Sequence, residues 1–353
     1  MVEWSMQTTM IVKIGFVGVG SMGQCAHLRN YVTVPECEVV ALAEPRPKLR
    51  GEVARRYGVA RTYASGAEMI ANEKLDGIVA SQPFDRHGQI IAPLYQSGLP
   101  IFTEKPLAAS VEVGEKMLEA LKSSGAWHMV GYHKRSDPAT MWAKAEIDRL
   151  RVTGELGGMK YIRLVMPAGD WIAAGFTDLI TGDEKIPDSA RDATEGIDSR
   201  YFGFVNYYIH QINLLRHLFG EPYQVTFADK SGVLLVAEST TGVTGTIELS
   251  PYRTTIDWQE SALVCFEKGW IKIELPAPLA SNRPGQVTVF RDPGEGVTPT
   301  TTTPTLPWVH AMRQQAINFV RAIKGEIKPP CDAVEALEDL KLALQYINLR
   351  KGA

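Results

Sequence analysis

The sequence predicts an α/β chain in two parts, a parallel sheet with both faces covered and then an α+β region built on mostly antiparallel strands. Three observations carry that prediction. Short apolar runs alternate with helix-like stretches up to about residue 132. Beyond it the strand candidates become longer, closely spaced and partly alternating. At 353 residues the chain also exceeds the size of one typical domain.

The first part opens with Ile11–Val17, a β-branched-rich run, followed by Gly18-Val19-Gly20-Ser21-Met22-Gly23 and a helix to about Tyr31. Next come a strand at Glu38–Ala43, a helix at Pro47–Tyr57, a strand at Gly77–Ser81 and a helix at Gln89–Ser97. A strand at Leu99–Thr103, a helix at Val111–Ser123 and a strand at Trp127–Tyr132 complete the series. Strands and helices alternating at such intervals form βαβ units.

After an amphipathic helix at about Pro138–Arg151, strands are expected at Lys160–Met166, Gln224–Asp229, Val233–Ser239, Thr244–Leu249, Ser261–Glu267, Trp270–Glu274 and Gln286–Phe290. Polar–apolar alternation marks several of them as strands with one covered face. A single helix is expected over Val205–Phe219, stopped by Gly220-Glu221-Pro222. Two helices, about Trp308–Lys324 and Asp332–Leu349, close the chain. The Thr-, Pro- and Gly-rich stretch Pro293–Pro307 reads as a loop or lid.

Composition narrows the partners. A net charge of −3 offers no basic excess for nucleic acid or an anionic membrane surface. No apolar stretch reaches membrane-spanning length. The polar segment Met1–Thr9 reads as an extension, not a signal peptide. Four scattered cysteines, with no CxxC and no Cys/His cluster, fit reduced thiols in a cytoplasmic protein and give no metal site.

Gly18-x-Gly20-x-x-Gly23 lies between a strand and a helix, the context in which such glycines bind a dinucleotide. Gly18 permits the tight turn, Gly20 lets backbone approach the pyrophosphate, and Gly23 allows close helix–strand packing. The N–H groups of Ser21 and Met22 at the helix start meet the phosphate charge. Glu44 ends the second strand, where an acid binds the adenosine ribose hydroxyls and favours NAD. Arg46 is either a solvated charge or a partner for the 2′-phosphate of NADP, which keeps NADP as the alternative cofactor.

Glu104-Lys105-Pro106 follows the strand at Leu99–Thr103, at the sheet end where doubly wound folds bind ligands. Pro106 restrains the Lys105 backbone, and a partly desolvated lysine there could exchange a proton with a substrate hydroxyl. On the expected helix, Asn206, His210 and Asn213 share a face at i, i+4 and i+7, suggesting a polar pocket wall.

Taken together, Gly18–Gly23, Glu44, Gln82-Pro83-x-x-x-His87, Glu104-Lys105-Pro106 and the His210 helix ending in Leu218-Phe219-Gly220-Glu221-Pro222 resemble the glucose–fructose oxidoreductase/inositol dehydrogenase/MocA family over nearly the whole chain. The resemblance implies an NAD(P)-binding Rossmann domain at residues 1–132. It implies an α+β domain at 133–353 with a large open sheet, a surface for homodimer or homotetramer assembly. The terminal helix would pack back on the first domain. The implied reaction is oxidation or reduction of a sugar, glycoside or cyclitol. Lys105 would relay the proton, His210 would face the substrate, Pro83, His87 and Glu104 would lie around the nicotinamide ribose, and Gln82 would be a further cofactor-binding residue. Polyol dehydrogenases of the family commonly carry aspartate at the position of Asn206, and often at that of Asn213. An amide cannot accept a proton, so Lys105 and His210, or an acid such as Asp170 or Asp192, would have to manage it.

Arg135, Asp170, Trp171, Asp192, Asn206 and Tyr207 are the further candidates for the substrate side. The charged stretch 181–201 is expected to be mostly solvated. An alternative function is redox-assisted glycoside cleavage, with Tyr207, Tyr208 or Asp192 as the extra base. A non-catalytic NAD-sensing regulator is the third reading.

Overall fold

The computed structural model describes residues 10–186, 191–192 and 196–352. The extension Met1–Thr9, and Asp188 and Glu195 of the charged stretch, lie outside them. The first sheet has strands β1 (Val12–Val17), β2 (Cys37–Ala43), β3 (Arg61–Tyr63), β4 (Gly77–Ala80), β5 (Ile101–Glu104) and β6 (His128–Gly131), all parallel, in the order β3-β2-β1-β4-β5-β6. Strands β4, β5 and β6 are buried along their whole length, as expected of strands covered on both sides. The order reverses between β1 and β4. Their carboxyl ends, at Gly18 and Ser81, therefore flank the crevice in which such folds bind ligands.

Helices α1 (Arg29–Tyr31), α2 (Pro47–Tyr57), α3 (Gly66–Asn72), α4 (His87–Leu94) and α5 (Val111–Lys122) connect these strands. Strand β3 and helix α3 were not expected from the sequence. α2 has Pro47 in its first turn and Gly58 in the left-handed conformation at its end, so both boundaries are written locally.

The second sheet runs β14-β13-β12-β11-β7-β10-β9-β8. It comprises β7 (Met159–Ala168), β8 (Tyr223–Ala228), β9 (Leu234–Ser239), β10 (Thr244–Arg253), β11 (Glu260–Phe266), β12 (Gly269–Leu275), β13 (Gln286–Arg291) and β14 (Thr300–Thr302). Only the β7–β10 pair is parallel. β14 belongs to the stretch read as a loop, and it extends the sheet by pairing with β13. Ile162, Leu164, Ile247 and Val264 on one face share a core with Leu214 and Leu215. The other face carries the Arg163–Glu248 ion pair and the Trp270–Phe290 ring stack.

The helix expected over Val205–Phe219 is two helices. α6 (Pro138–Thr153) precedes the second sheet, and α7 (Ser199–Tyr207) and α8 (Ile209–Phe219) meet at Tyr208. There φ −91° and ψ −2° interrupt the regular turn. α9 (Ala311–Ile323) then returns to the first sheet, where Phe319 meets Tyr31, Phe102 and Trp127. α10 (Ala333–Gly352) contributes Leu340 and Ile347 to the larger core. The two sheets are thus separate in sequence, while their hydrophobic cores are stitched together by the end of the chain.

Candidate active site

The glycine turn has the geometry its spacing implies. Gly18 has φ +90°, and a Cβ there would lie 2.4 Å from the Ser81 carbonyl oxygen. A Cβ on Gly23 would lie 2.6 Å from the Gly18 carbonyl, so that glycine lets helix and strand pack closely. At Gly20 the nearest atom to such a Cβ is the tip of Arg46 at 3.9 Å, leaving room for a ligand against the backbone. Glu44, at the end of β2, accepts from Val19 N–H at 3.2 Å. Arg46 folds back on it, with Nε 2.7 Å from Oε1 and Nη2 3.1 Å from Oε2, so it is not a solvated charge.

A cavity of about 710 Å³ runs from this turn to the second sheet. Gly18, Gly20, Ser21, Met22, Glu44, Arg46, Gln82, Pro83, Glu104, Lys105, Trp171, Asn206, Tyr207 and His210 all line it. Glu104 ends β5, and its Oε1 lies 2.7 Å from His27 Nε2. Although burial opposes ionisation, the His27 contact holds the Glu104 carboxyl below its ordinary range. Lys105 Nζ donates to the Asn206 carbonyl at 2.5 Å. Burial, countered by Glu104 and assisted by Lys134, lowers the Lys105 amine to about 8.

His210 stands in the same cavity, its ring 4.7 Å from that of His133. Burial, with Lys105 and other cationic or imidazole neighbours, pushes both rings well below their ordinary pKa, so both are neutral near pH 7. Among the described residues, Nδ1 of His210 has no hydrogen-bond partner. The deep wall holds Lys134 paired with Glu260, which also accepts from Gln211 at 2.8 Å and from the Trp258 indole at 3.2 Å. A fixed acid, a lysine of lowered basicity and two neutral imidazoles can together move a proton to or from a bound hydroxyl.

The model of the family described as "Oxidoreductase family, NAD-binding Rossmann fold" (Gfo/Idh/MocA) matches residues 12–132. Over a longer stretch, the chain is 27% identical over 254 residues to the scyllo-inositol 2-dehydrogenase (NAD(+)) of Bacillus subtilis, covering 68% of this chain and 67% of the relative. Residues 12–132 thus match the NAD-binding domain of the Gfo/Idh/MocA oxidoreductase family. An inositol 2-dehydrogenase of Acidothermus cellulolyticus is 30% identical over 143 residues, 40% of this chain and 42% of that one. The chain therefore spans two thirds of the first relative's length and under half of the second's. Among solved structures, a levoglucosan dehydrogenase in complex with NADH and levoglucosan superposes with a TM-score of 0.72 at 17% identity. That match covers 97% of this chain and 98% of the other, a likeness of fold.

Several expected site residues turn away from the cavity. Arg135 is buried, bonded to Asn213 at 2.7 Å, the Pro330 carbonyl at 2.8 Å and Glu335 at 2.9 Å. Its helical turn points His133 and Lys134 at the cavity and Arg135 toward α10. Asn213 follows it, donating to Asp339 at 2.6 Å, because the break at Tyr208 removes the common face expected with Asn206. Asp170 braces its own turn, accepting from Ile172 and Ala173 N–H at 3.0 and 3.1 Å, and so sets the position of Trp171. Asp192 is buried and accepts from Gly88 N–H at 3.0 Å in the first turn of α4. His87 is buried between the Leu107 and Gln82 carbonyls, at 3.0 and 3.2 Å, and acts as a prop beneath both.

Sequence reasoning also missed the segment Leu179–Gly182 with Ile186, which lines the cavity from above. Gln24 holds it, donating to the Ile180 carbonyl at 3.0 Å and accepting from Ile180 N–H at 3.1 Å. No local spacing announces contacts across 156 residues. Among the described residues, no group of three His, Cys, Asp or Glu could hold a metal, and no helix is long and apolar enough to cross a membrane.

Proposed function

We propose that this oxidoreductase interconverts a hydroxyl and a carbonyl carbon of a sugar, glycoside or cyclitol, using NAD. The observation that carries the reading is the continuity of one cavity from the glycine turn to Lys105 and His210. Ser21, Met22, Glu44, Gln82 and Pro83 are placed to hold the cofactor, and the open space at Gly20 fits a pyrophosphate against the backbone. When bound, the nicotinamide supplies the hydride acceptor or donor.

Lys105, half deprotonated at about pH 8, takes the proton from the substrate hydroxyl, and neutral His210 shares or receives it. Glu104, fixed against His27, keeps Lys105 at the strand end. Trp171 and Tyr207 offer faces for the C–H surface of a ring, while Asn206 and Lys134 offer donors for its hydroxyls. The open face of the second sheet serves as the homo-oligomer surface in this reading.

Redox-assisted glycoside cleavage needs one more base. Asp192 is held at α4, and burial raises the Tyr207 phenol above its ordinary value, so net oxidation is favoured. A screen of sugars, cyclitols and glycosides for NADH accumulation tests the proposal. Aglycone release without net NADH would replace it with the cleavage reading. NAD binding with no turnover of any of them would leave a cofactor-sensing protein.

A further inference from the structure

The segment Trp171–Ile186 leaves the end of β7 and straps across the cofactor groove. Trp171, Ile172 and Phe176 pack with Ala26, Leu279 and Met312. Gln24 holds the Ile180 backbone from both sides, and Arg56 donates to the Asp178 carbonyl. The strap ends on Glu184, whose two carboxylate oxygens accept from Lys48 N–H at 3.1 Å and Leu49 N–H at 2.9 Å. These amides belong to the first turn of α2, where Pro47 has no N–H and Arg46 supplies no side-chain cap. A residue 135 positions away in sequence thus caps the helix that follows β2.

That location decides cofactor choice in this fold. NADP differs from NAD by a phosphate on the adenosine 2′-oxygen, beside the acid that ends β2. The groups available to neutralise it are an arginine just past that strand and the amides opening the next helix. Both are engaged here: Arg46 by Glu44, and Lys48 and Leu49 N–H by Glu184. A 2′-phosphate would meet two carboxylates where it needs cations and donors.

We propose that Glu184 is a specificity-determining residue, a carboxylate delivered by the second-domain strap that occupies the anion-binding start of α2 and excludes NADP. The inference stands apart from the identity of the sugar, and its test uses no sugar. Equilibrium titration of the full chain with NAD⁺ and NADP⁺ gives the ratio of their dissociation constants. Wild-type protein should bind NADP⁺ about 100-fold more weakly than NAD⁺. Glu184→Gln should strengthen NADP⁺ binding about tenfold, and Glu184→Lys further, with NAD⁺ binding within about threefold. Gln24→Ala, which loosens the strap and leaves Glu184 charged, should relax the ratio in the same direction and supplies the test if the Glu184 variants fold poorly. Equal wild-type affinities, or Glu184 variants that move both cofactors alike, would overturn the proposal, as would an unchanged ratio in Gln24→Ala.

Discussion

The Lys105 ammonium donates to the backbone carbonyl of Asn206 at 2.5 Å, joining the end of β5 to the last turn of α7 across the cavity. This bond places the lysine from the α7 backbone, with no carboxylate required at position 206. Lys105→Met should therefore keep the fold, since it replaces a partly buried charge with an apolar chain of similar length. It should lower turnover by about 10²–10⁴-fold, the usual contribution of a positioned acid–base group. Far-UV circular dichroism together with steady-state kinetics checks both halves; unchanged kcat would remove Lys105 from the mechanism.

The pH profile follows from the lowered lysine. Oxidation needs neutral Lys105, so its rate should rise with pH through about 8 and then level, while reduction should fall through the same value. Asn206→Asp adds a negative charge one residue's reach from the amine, which favours the ammonium form. The midpoint should move to higher pH by about one unit. A profile of kcat/KM that stays in place in the aspartate variant would show that Lys105 is not the titrating group.

Arg135 makes a stability prediction in place of the substrate role its position suggested. Its guanidinium joins Asn213, Glu335 and the Pro330 carbonyl, and Asn213 in turn binds Asp339, which also holds Arg216 at 2.8 Å. Arg135→Met removes one member and leaves the buried Asn213 side-chain oxygen unpaired. Urea denaturation should show a loss of about 1–3 kcal/mol. An equal loss of substrate affinity with stability intact would instead return Arg135 to the cavity.

The parallel sheet was legible because each of its inner strands is a short apolar run next to a glycine or proline boundary. β3 and α3 were not, since Arg61-Thr62-Tyr63 is a short, largely exposed edge strand and α3 buries only Gly66 and Met69. No glycine or proline marks the break at Tyr208. In the site, Gly18, Glu44, Lys105 and His210 could be read because their placement depends on strand ends and helix turns close in sequence. Asp170 and Asp192 were misread for one reason. A carboxylate near a cleft in sequence can satisfy a neighbouring backbone amide just as well as a ligand, and both do so here.

The glycine turn predicts a local and sharp failure. Gly18→Ala puts a Cβ 2.4 Å from the Ser81 carbonyl and forces alanine to φ +90°. The strain should cost about 1–3 kcal/mol and displace the backbone beside Gly20. NAD⁺ affinity should drop at least about tenfold, read by titration calorimetry. Wild-type affinity in this variant would mean that the turn does not cradle the cofactor.

Buried histidines set the acid limit of the fold. His128 bridges the Tyr95 and Thr103 hydroxyls at 2.8 Å each, and burial lowers it from 6.5 to about 3. In the unfolded chain it would titrate near 6.5, so below that pH the unfolded state binds the extra proton. Its share of stability is full above about 6.5 and is lost progressively as pH falls toward about 3, by about 1.4 kcal/mol per unit for one fully shifted group. His87, His133, His210 and His217 shift in the same direction for the same first cause, burial. Unfolding free energy measured in urea at pH 7 and pH 5 should therefore fall steeply. His128→Gln, which keeps hydrogen-bonding capacity without a proton to gain, should flatten the slope by about one histidine's share. An unchanged slope in that variant would place the acid sensitivity elsewhere.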